Sequence, residues 1–383
     1  MSNGETARRI LESAQRIVVK VGSSTLTRNG DLRTRKFTDL SNQVADLVER
    51  GKQVVIVSSG AIAVGTRRLA WTKPAGSIPA MQAAAAVGQI GLIELYQRRF
   101  ARRGLQVAQV LLTRAGLEDR ERFLNARHTL HELLRLGVVP IVNENDTVAT
   151  DEIRFGDNDN LSAQIVNLIG ADLLVILTDV DGLHREPPVP GKPKPPLFEV
   201  IERITPEIEQ AARGSSSAFG RGGMITKLEA ARTAARSGAA TVLCNGGPRD
   251  VLTRLGAGER VGTIILPGER LGSKKHWLAF TSRTRGELVL DDGAVTALVE
   301  RGRSLLPAGI VDVRGRFHVG DPVSCVDGNG TELARGLTAY ASEDVTRIKG
   351  LATDKIAGEL GYSNGDEVIH RDDLVVLGSP DDA

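Results

Sequence analysis

The chain has 383 residues, 41% of them hydrophobic and 25% charged, with a formal net charge of +2. That is an ordinary globular composition, long enough for two domains, and its near balance of charge gives no whole-chain electrostatic case for nucleic acid. Two cysteines, Cys244 and Cys325, lie far apart in apolar runs without a CxxC partner, no apolar run approaches a membrane span and no signal-peptide core is present, so core thiols, a reducing compartment and a cytoplasmic protein are expected.

Residues 1–15 read as a short lead-in helix, and Ile17-Val18-Val19 as a compact buried strand ending at Lys20-Val21-Gly22-Ser23-Ser24. A helix is expected from Thr34 to Arg50, with Leu40, Val44, Leu47 and Val48 inward and Gly51 as its stop. Val54–Val57 is the second strand, followed at once by Ser58-Ser59-Gly60-Ala61. Met81–Phe100 is helical, Val107–Leu112 a strand, Asp119–Leu136 helical, and Val138–Val142 a strand that runs into an Asn/Asp-rich loop. Leu161, Ile165, Leu168 and Ile169 then have the spacing of one buried helix face. Leu173–Leu177 ends in Thr178-Asp179, and Val242-Leu243 is the last strand of this kind. Short apolar strands alternating with amphipathic helices predict a mainly parallel sheet covered on both faces, whose ligands bind beyond the carboxyl ends of its strands.

Six prolines between Pro187 and Pro196 mark a stiff excursion rather than a boundary. A boundary is expected near Pro267–Thr284, giving a first domain over 1–268, a linker over 269–284, a small mostly-β domain over 285–377 and a tail over 378–383. The second domain carries 10 Lys/Arg against 16 Asp/Glu, a net of −6, which argues against RNA binding.

The chemistry concentrates at strand ends. Between Asn143 and Asn160 lie Glu144, Asp146, Asp151, Glu152, Asp157 and Asp159, against the single Arg154. Mixed amide and carboxylate groups suit a zwitterion better than a phosphate. Lys20 beside a glycine turn can act as a point charge for phosphate. Ser58-Ser59-Gly60-Ala61 supplies backbone N–H groups and hydroxyls at a strand-to-helix turn, an anion-binding arrangement. Gly220-Arg221-Gly222-Gly223-Met224-Ile225-Thr226-Lys227 repeats that pattern ahead of a helix, and its Thr-Lys order departs from a Walker A loop.

These motifs, in this order, resemble the amino-acid kinase family along nearly the whole chain. The resemblance is carried by Val19-Lys20-Val21-Gly22-Ser23-Ser24, Val57-Ser58-Ser59-Gly60-Ala61-Ile62-Ala63, the Met/Gln-rich stretch 81–89, Leu112-Thr113-Arg114 with residues 119–127, Asn143-Glu144-Asn145-Asp146, Gly156-Asp157-Asn158-Asp159-Asn160 and Gly222-Gly223-Met224-Ile225-Thr226-Lys227. Gly286–Ala294, Ser304–Gly309 and Phe317–Asp321 resemble a PUA domain.

The resemblance implies a three-layer αβα sandwich followed by a mostly-β PUA domain. It implies ATP-dependent phosphorylation of the γ-carboxylate of L-glutamate, the first step of proline biosynthesis, with Mg²⁺ carried mainly by ATP. Residue by residue, Ser59, Asp146 and Asn158 match glutamate-binding positions. Lys20 and Lys227 match the lysines that stabilise the transferring phosphoryl group, and Asp159 the aspartate that orients them. Thr178 and Asp179, with Arg221, Gly222, Gly223, Met224, Ile225, Thr226 and Lys227, match the nucleotide site. The resemblance further implies a homo-oligomer (dimer or tetramer), feedback inhibition by proline, and hand-over of product to glutamate-5-phosphate reductase. The alternatives are a kinase with another acceptor, such as aspartate, N-acetylglutamate or carbamate, and an RNA-binding PUA protein.

Overall fold

The computed structural model describes residues 3–28, 31–71, 76–148, 158–189, 191–213, 223–268 and 273–377. The chain forms two compact units, one of residues 1–116 and 121–270, the other of residues 117–120 and 271–383.

The first unit holds strands β1 (Arg16–Val21), β2 (Thr27–Arg28), β3 (Asp31–Leu32), β4 (Gln53–Ser58), β5 (Val107–Leu112), β6 (Val139–Glu144), β7 (Leu173–Thr178), β8 (Val200–Ile201), β9 (Ala240–Asn245) and β10 (Thr263–Ile265). Eight of these make one sheet in the order β5-β6-β4-β1-β7-β9-β10-β8, while β2 and β3 form a separate hairpin. Pairing is parallel from β5 to β9, β10 runs antiparallel to β9, and β8 is parallel to β10.

Side chains alternate across a strand with period two, and this alternation builds the layers. Ile17, Val19 and Val21 of β1, Val54 and Ile56 of β4, and Leu173, Val175 and Leu177 of β7 join one core with Phe37, Leu40, Val44, Leu92, Tyr96 and Phe100 of the helices Thr34–Glu49 and Ile78–Phe100. Val18, Lys20 and Ile176 therefore project to the other face, where the helix Asn158–Ile169 lies against β1, β7 and the helix Met224–Arg236. That central helix differs from the single buried stripe its spacing suggests. Ser162, Gln164 and Asn167 are buried as well as the apolar positions, because sheet and helix enclose it from both sides.

The helix Ile78–Phe100 differs from the sequence expectation too. With its extension to Arg103 it is long and apolar enough to cross a bilayer by length and composition alone. Here its Leu92, Tyr96 and Phe100 are fully buried in the core.

The second unit carries β11 (Gly286–Leu290), β12 (Ile310–Gly315), β13 (Pro322–Val326), β14 (Glu332–Leu337) and β15 (Leu374–Val376), in the order β12-β11-β13-β14-β15. Its own core gathers Leu288, Leu305, Phe317, Cys325, Tyr340 and Ile369. Residues 273–280, inside the stretch expected to link the domains, form a helix of this unit. Arg335 Nη1 donates to the Ala279 carbonyl at 3.0 Å, and Trp277 Nε1 donates to the Leu117 carbonyl at 3.1 Å.

Candidate functional site

In parallel strands all carboxyl ends share one edge, so register alone brings distant residues together. Val21 stands opposite Ser58 and Leu177, and Thr178 opposite Asn245. The segments after β1, β4, β6, β7 and β9 thus leave from the same edge. Gly22 N donates to the Leu177 carbonyl at 3.3 Å, Ser59 N to Val21 at 3.1 Å, and Gly246 N to Thr178 at 2.8 Å, which stitches those exits together.

A cationic centre sits there. Lys20 Nζ is 2.5 Å from Asp159 Oδ1, and Lys227 Nζ is 3.1 Å from Asp159 Oδ2. Asp159 is fully buried, and both lysines are more than nine-tenths buried. Thr226 Oγ1 lies 3.0 Å from Asp159 Oδ2 and 2.8 Å from the Gly223 carbonyl. The three charged groups come from β1, the first turn of the Asn158 helix and the first turn of the Met224 helix, and sum to +1. A lysine in a first helical turn opposes the helix dipole, whose positive end it occupies. Lys227 is tolerated there because Asp159 faces it, and the arrangement as a whole favours an arriving anion.

A second, uncharged group lies beside it. Asn158 Nδ2 donates to Ser59 Oγ at 3.0 Å and to Asn143 Oδ1 at 2.9 Å. Asn143 Nδ2 donates in turn to Gln89 Oε1 at 2.9 Å. Because Asn158 and Asp159 are neighbours at one helix start, the amide group and the lysine pair share a support. Ser59 is fixed by its N–H bond to Val21, and its neighbour Ser58 donates from Oγ to the Ser59 carbonyl at 3.1 Å, with Tyr96 Oη 3.0 Å from the same hydroxyl. The Tyr96 phenol is pushed well above its ordinary range by complete burial. Gly60 follows at φ +108°, a left-handed conformation that strains any residue with a Cβ, and it starts the helix Ala61–Arg68.

The structure therefore brings Lys20, Lys227, Asp159 and Thr226 into one cluster, and Ser59 and Asn158 into the next. Thr178 Oγ1 donates to Asp179 Oδ1 at 3.1 Å, at the carboxyl end of β7 on the same edge. Asp146 lies just beyond the end of β6 and is half-buried. Gly223 caps the Met224 helix; Met224 is buried and Ile225 is 42% exposed. Arg221 and Gly222, with Asp151, Glu152, Arg154 and Asp157 of the acidic loop, lie outside the described residues. Gln89 and Asn143 went unassigned from sequence. The available signal was a buried-face glutamine inside the otherwise apolar run from Ala83 to Leu92.

The amino acid kinase family profile matches residues 15–245. The chain belongs to the amino acid kinase family. A PUA domain profile matches residues 286–360, so this kinase domain is followed by a PUA domain. The glutamate 5-kinase of Paraburkholderia phymatum is 49% identical over 372 residues, covering 97% of this chain and 100% of that relative. The glutamate 5-kinase of Cupriavidus pinatubonensis is 50% identical over 373 residues, covering 96% and 99%. Among solved structures, the carbamate kinase from Giardia lamblia bound to AMP-PNP matches with a TM-score of 0.48 at 16% identity, over 67% of this chain and 99% of that one.

Proposed function

We propose that this kinase transfers the γ-phosphoryl group of ATP to the γ-carboxylate of L-glutamate, giving L-glutamyl 5-phosphate for proline biosynthesis. The relatives that match nearly its whole length carry that activity in their name. One observation of the molecule itself supports it above the others: a single buried carboxylate, Asp159, holds two ammonium groups that reach it from separate elements.

The chemistry follows from charge. A carboxylate is already a nucleophile, so no general base is required. The acceptor, the nucleotide and the developing transition state are all anionic, so catalysis comes from in-line placement and preorganised positive charge. Lys20 and Lys227 supply that charge, and Asp159 fixes where it points. Asn158, Ser59 and Asp146 hold glutamate beside them. Thr178, Asp179 and residues 221–227 hold the nucleotide. Among the described residues, no three His, Cys, Asp or Glu side chains gather as a cation site, and both oxygens of Asp159 face lysines. A Mg²⁺ arriving with ATP would neutralise charge on its phosphates. By the same family likeness, the enzyme works in the cytoplasm as a homo-oligomer, is inhibited by proline and passes its labile product to glutamate-5-phosphate reductase.

Trapping the acyl phosphate with hydroxylamine tests the acceptor. Glutamate with ATP is expected to give the hydroxamate, and aspartate, N-acetylglutamate and carbamate to give none. A preference for any of those three over glutamate overturns the proposal.

A further inference from the structure

Resting on that acceptor, we infer that Gln89 is a specificity-determining residue: it sets the direction of a buried amide chain so that Asn158 presents an oxygen, not an N–H, to the substrate ammonium.

Three side-chain amides lie in series from Gln89 on the helix Ile78–Phe100, through Asn143 on β6, to Asn158 at the start of its helix. They are 8%, 3% and 7% exposed. Each amide has an accepting and a donating end, so a string of them has two possible directions. In the observed direction Gln89 Oε1 accepts from Asn143 Nδ2, and Asn143 Oδ1 then accepts from Asn158 Nδ2. Asn158 spends its second N–H on Ser59 Oγ. Both donor positions of Asn158 are thus used, and its Oδ1 is the atom left for a ligand. In the reverse direction Asn158 would offer Nδ2 outward and repel a cation. In the observed direction the string ends on Gln89 Oε1 as acceptor, and a residue 89 unable to accept would remove what favours that direction.

Gln89 satisfies Asn143 but not its own amide. Its Nε2 is buried and has no hydrogen-bond partner among the described residues. An unmet buried donor is destabilising, so an apolar side chain of similar volume would satisfy the local packing as well. What an apolar residue cannot do is accept from Asn143.

The test compares glutamate with glutarate, which keeps both carboxylates and lacks the ammonium, in the full-length enzyme. Gln89→Met removes the acceptor. We expect the kcat/KM ratio for glutamate over glutarate to fall about tenfold or more, through the glutamate KM, with the ATP KM and melting temperature held. That fall equals the loss of one charge-assisted hydrogen bond. Gln89→Glu retains an acceptor and should keep the ratio within about threefold of wild type; Gln89→Leu serves if the methionine variant does not fold. An unchanged ratio in the apolar variant, or an equal loss for both acceptors, overturns the inference. If the wild-type enzyme fails to phosphorylate glutamate at all, the acceptor assignment falls and this inference falls with it, an outcome read in the wild type alone and so distinct from an unchanged ratio in the variants.

Discussion

Replacing Asp159 by asparagine probes the central arrangement most directly. The two ammonium groups lie 2.5 and 3.1 Å from its two oxygens, and the aspartate has no exposure to solvent. The substituted side chain would be neutral, and one of its two ends would turn N–H donors toward a lysine. Removing one member of a buried ion pair costs about 3–5 kcal/mol. With two cations each losing this partner, the upper end of that range applies. For a domain of this size each kcal/mol lowers the melting temperature by roughly 2–4 °C, so a fall of about 10–20 °C is expected. ATP brings its own negative charge to the lysines, so saturating nucleotide should return part of the loss, and its stabilising shift should be larger in D159N than in wild type. On the proposed role of the lysines, turnover should fall by about two orders of magnitude or more, because their charges are no longer held in place. Calorimetry with and without nucleotide, paired with the hydroxamate assay, reads all three quantities. A variant that melts within about 3 °C of wild type without nucleotide and turns over normally would show that Asp159 does not organise these lysines.

The other expectations are simpler. Lys20→Met and Lys227→Met should each lower kcat by about a hundredfold, the scale of losing one preorganised charge, and near-normal turnover in either would contradict its role. Asp146→Ala should raise the glutamate KM and spare that for ATP, and a selective ATP defect would point the other way. Burial pushes the thiols of Cys244 and Cys325 from an ordinary 9.0 up to about 12. Both should resist a thiol reagent at pH 8 until denaturant is added, and rapid reaction of the native chain would refute their burial. The sign of the linked stability follows from that rise. The unfolded thiols ionise first, so their contribution is fully present below pH 9.0 and is lost as pH climbs toward about 12.

The six parallel strands β1, β4, β5, β6, β7 and β9 were legible because each is a short apolar run bounded by turn residues, and all but the edge strand β5 are buried on both faces. The short strands β8 and β10 were not, since two or three residues carry no periodicity, and their pairing depends on sequence-distant neighbours. In the second unit β14 carries little strand signal for a related reason. In Glu332-Leu333-Ala334-Arg335-Gly336-Leu337 the buried positions hold only the small residues Ala334 and Gly336, and half-buried Arg335 is held by Glu332 and by carbonyls of the helix Ser273–Phe280 and its exit. At the site, Lys20, Asp159 and Lys227 were legible as motif residues. That Asp159 orients both lysines comes from the family resemblance alone, since no spacing encodes the geometry by which it receives them. Gln89 stayed hidden because its partner is 54 positions away along the chain.

The crossing of the helices Ala61–Arg68 and Ile78–Phe100 has a consequence for how this protein can change. At Gly65 an added Cβ would stand 1.7 Å from the Ala84 carbonyl oxygen, and at Gly88 it would stand 1.8 Å from that of Ala61. Main chain rests on main chain, and Ala61 is the residue next to Gly60. Such a joint has no side chain to trim, so drift can only add bulk, and every addition pushes on the turn that carries Ser59. A side chain at either position can be admitted only if one main chain moves off the other.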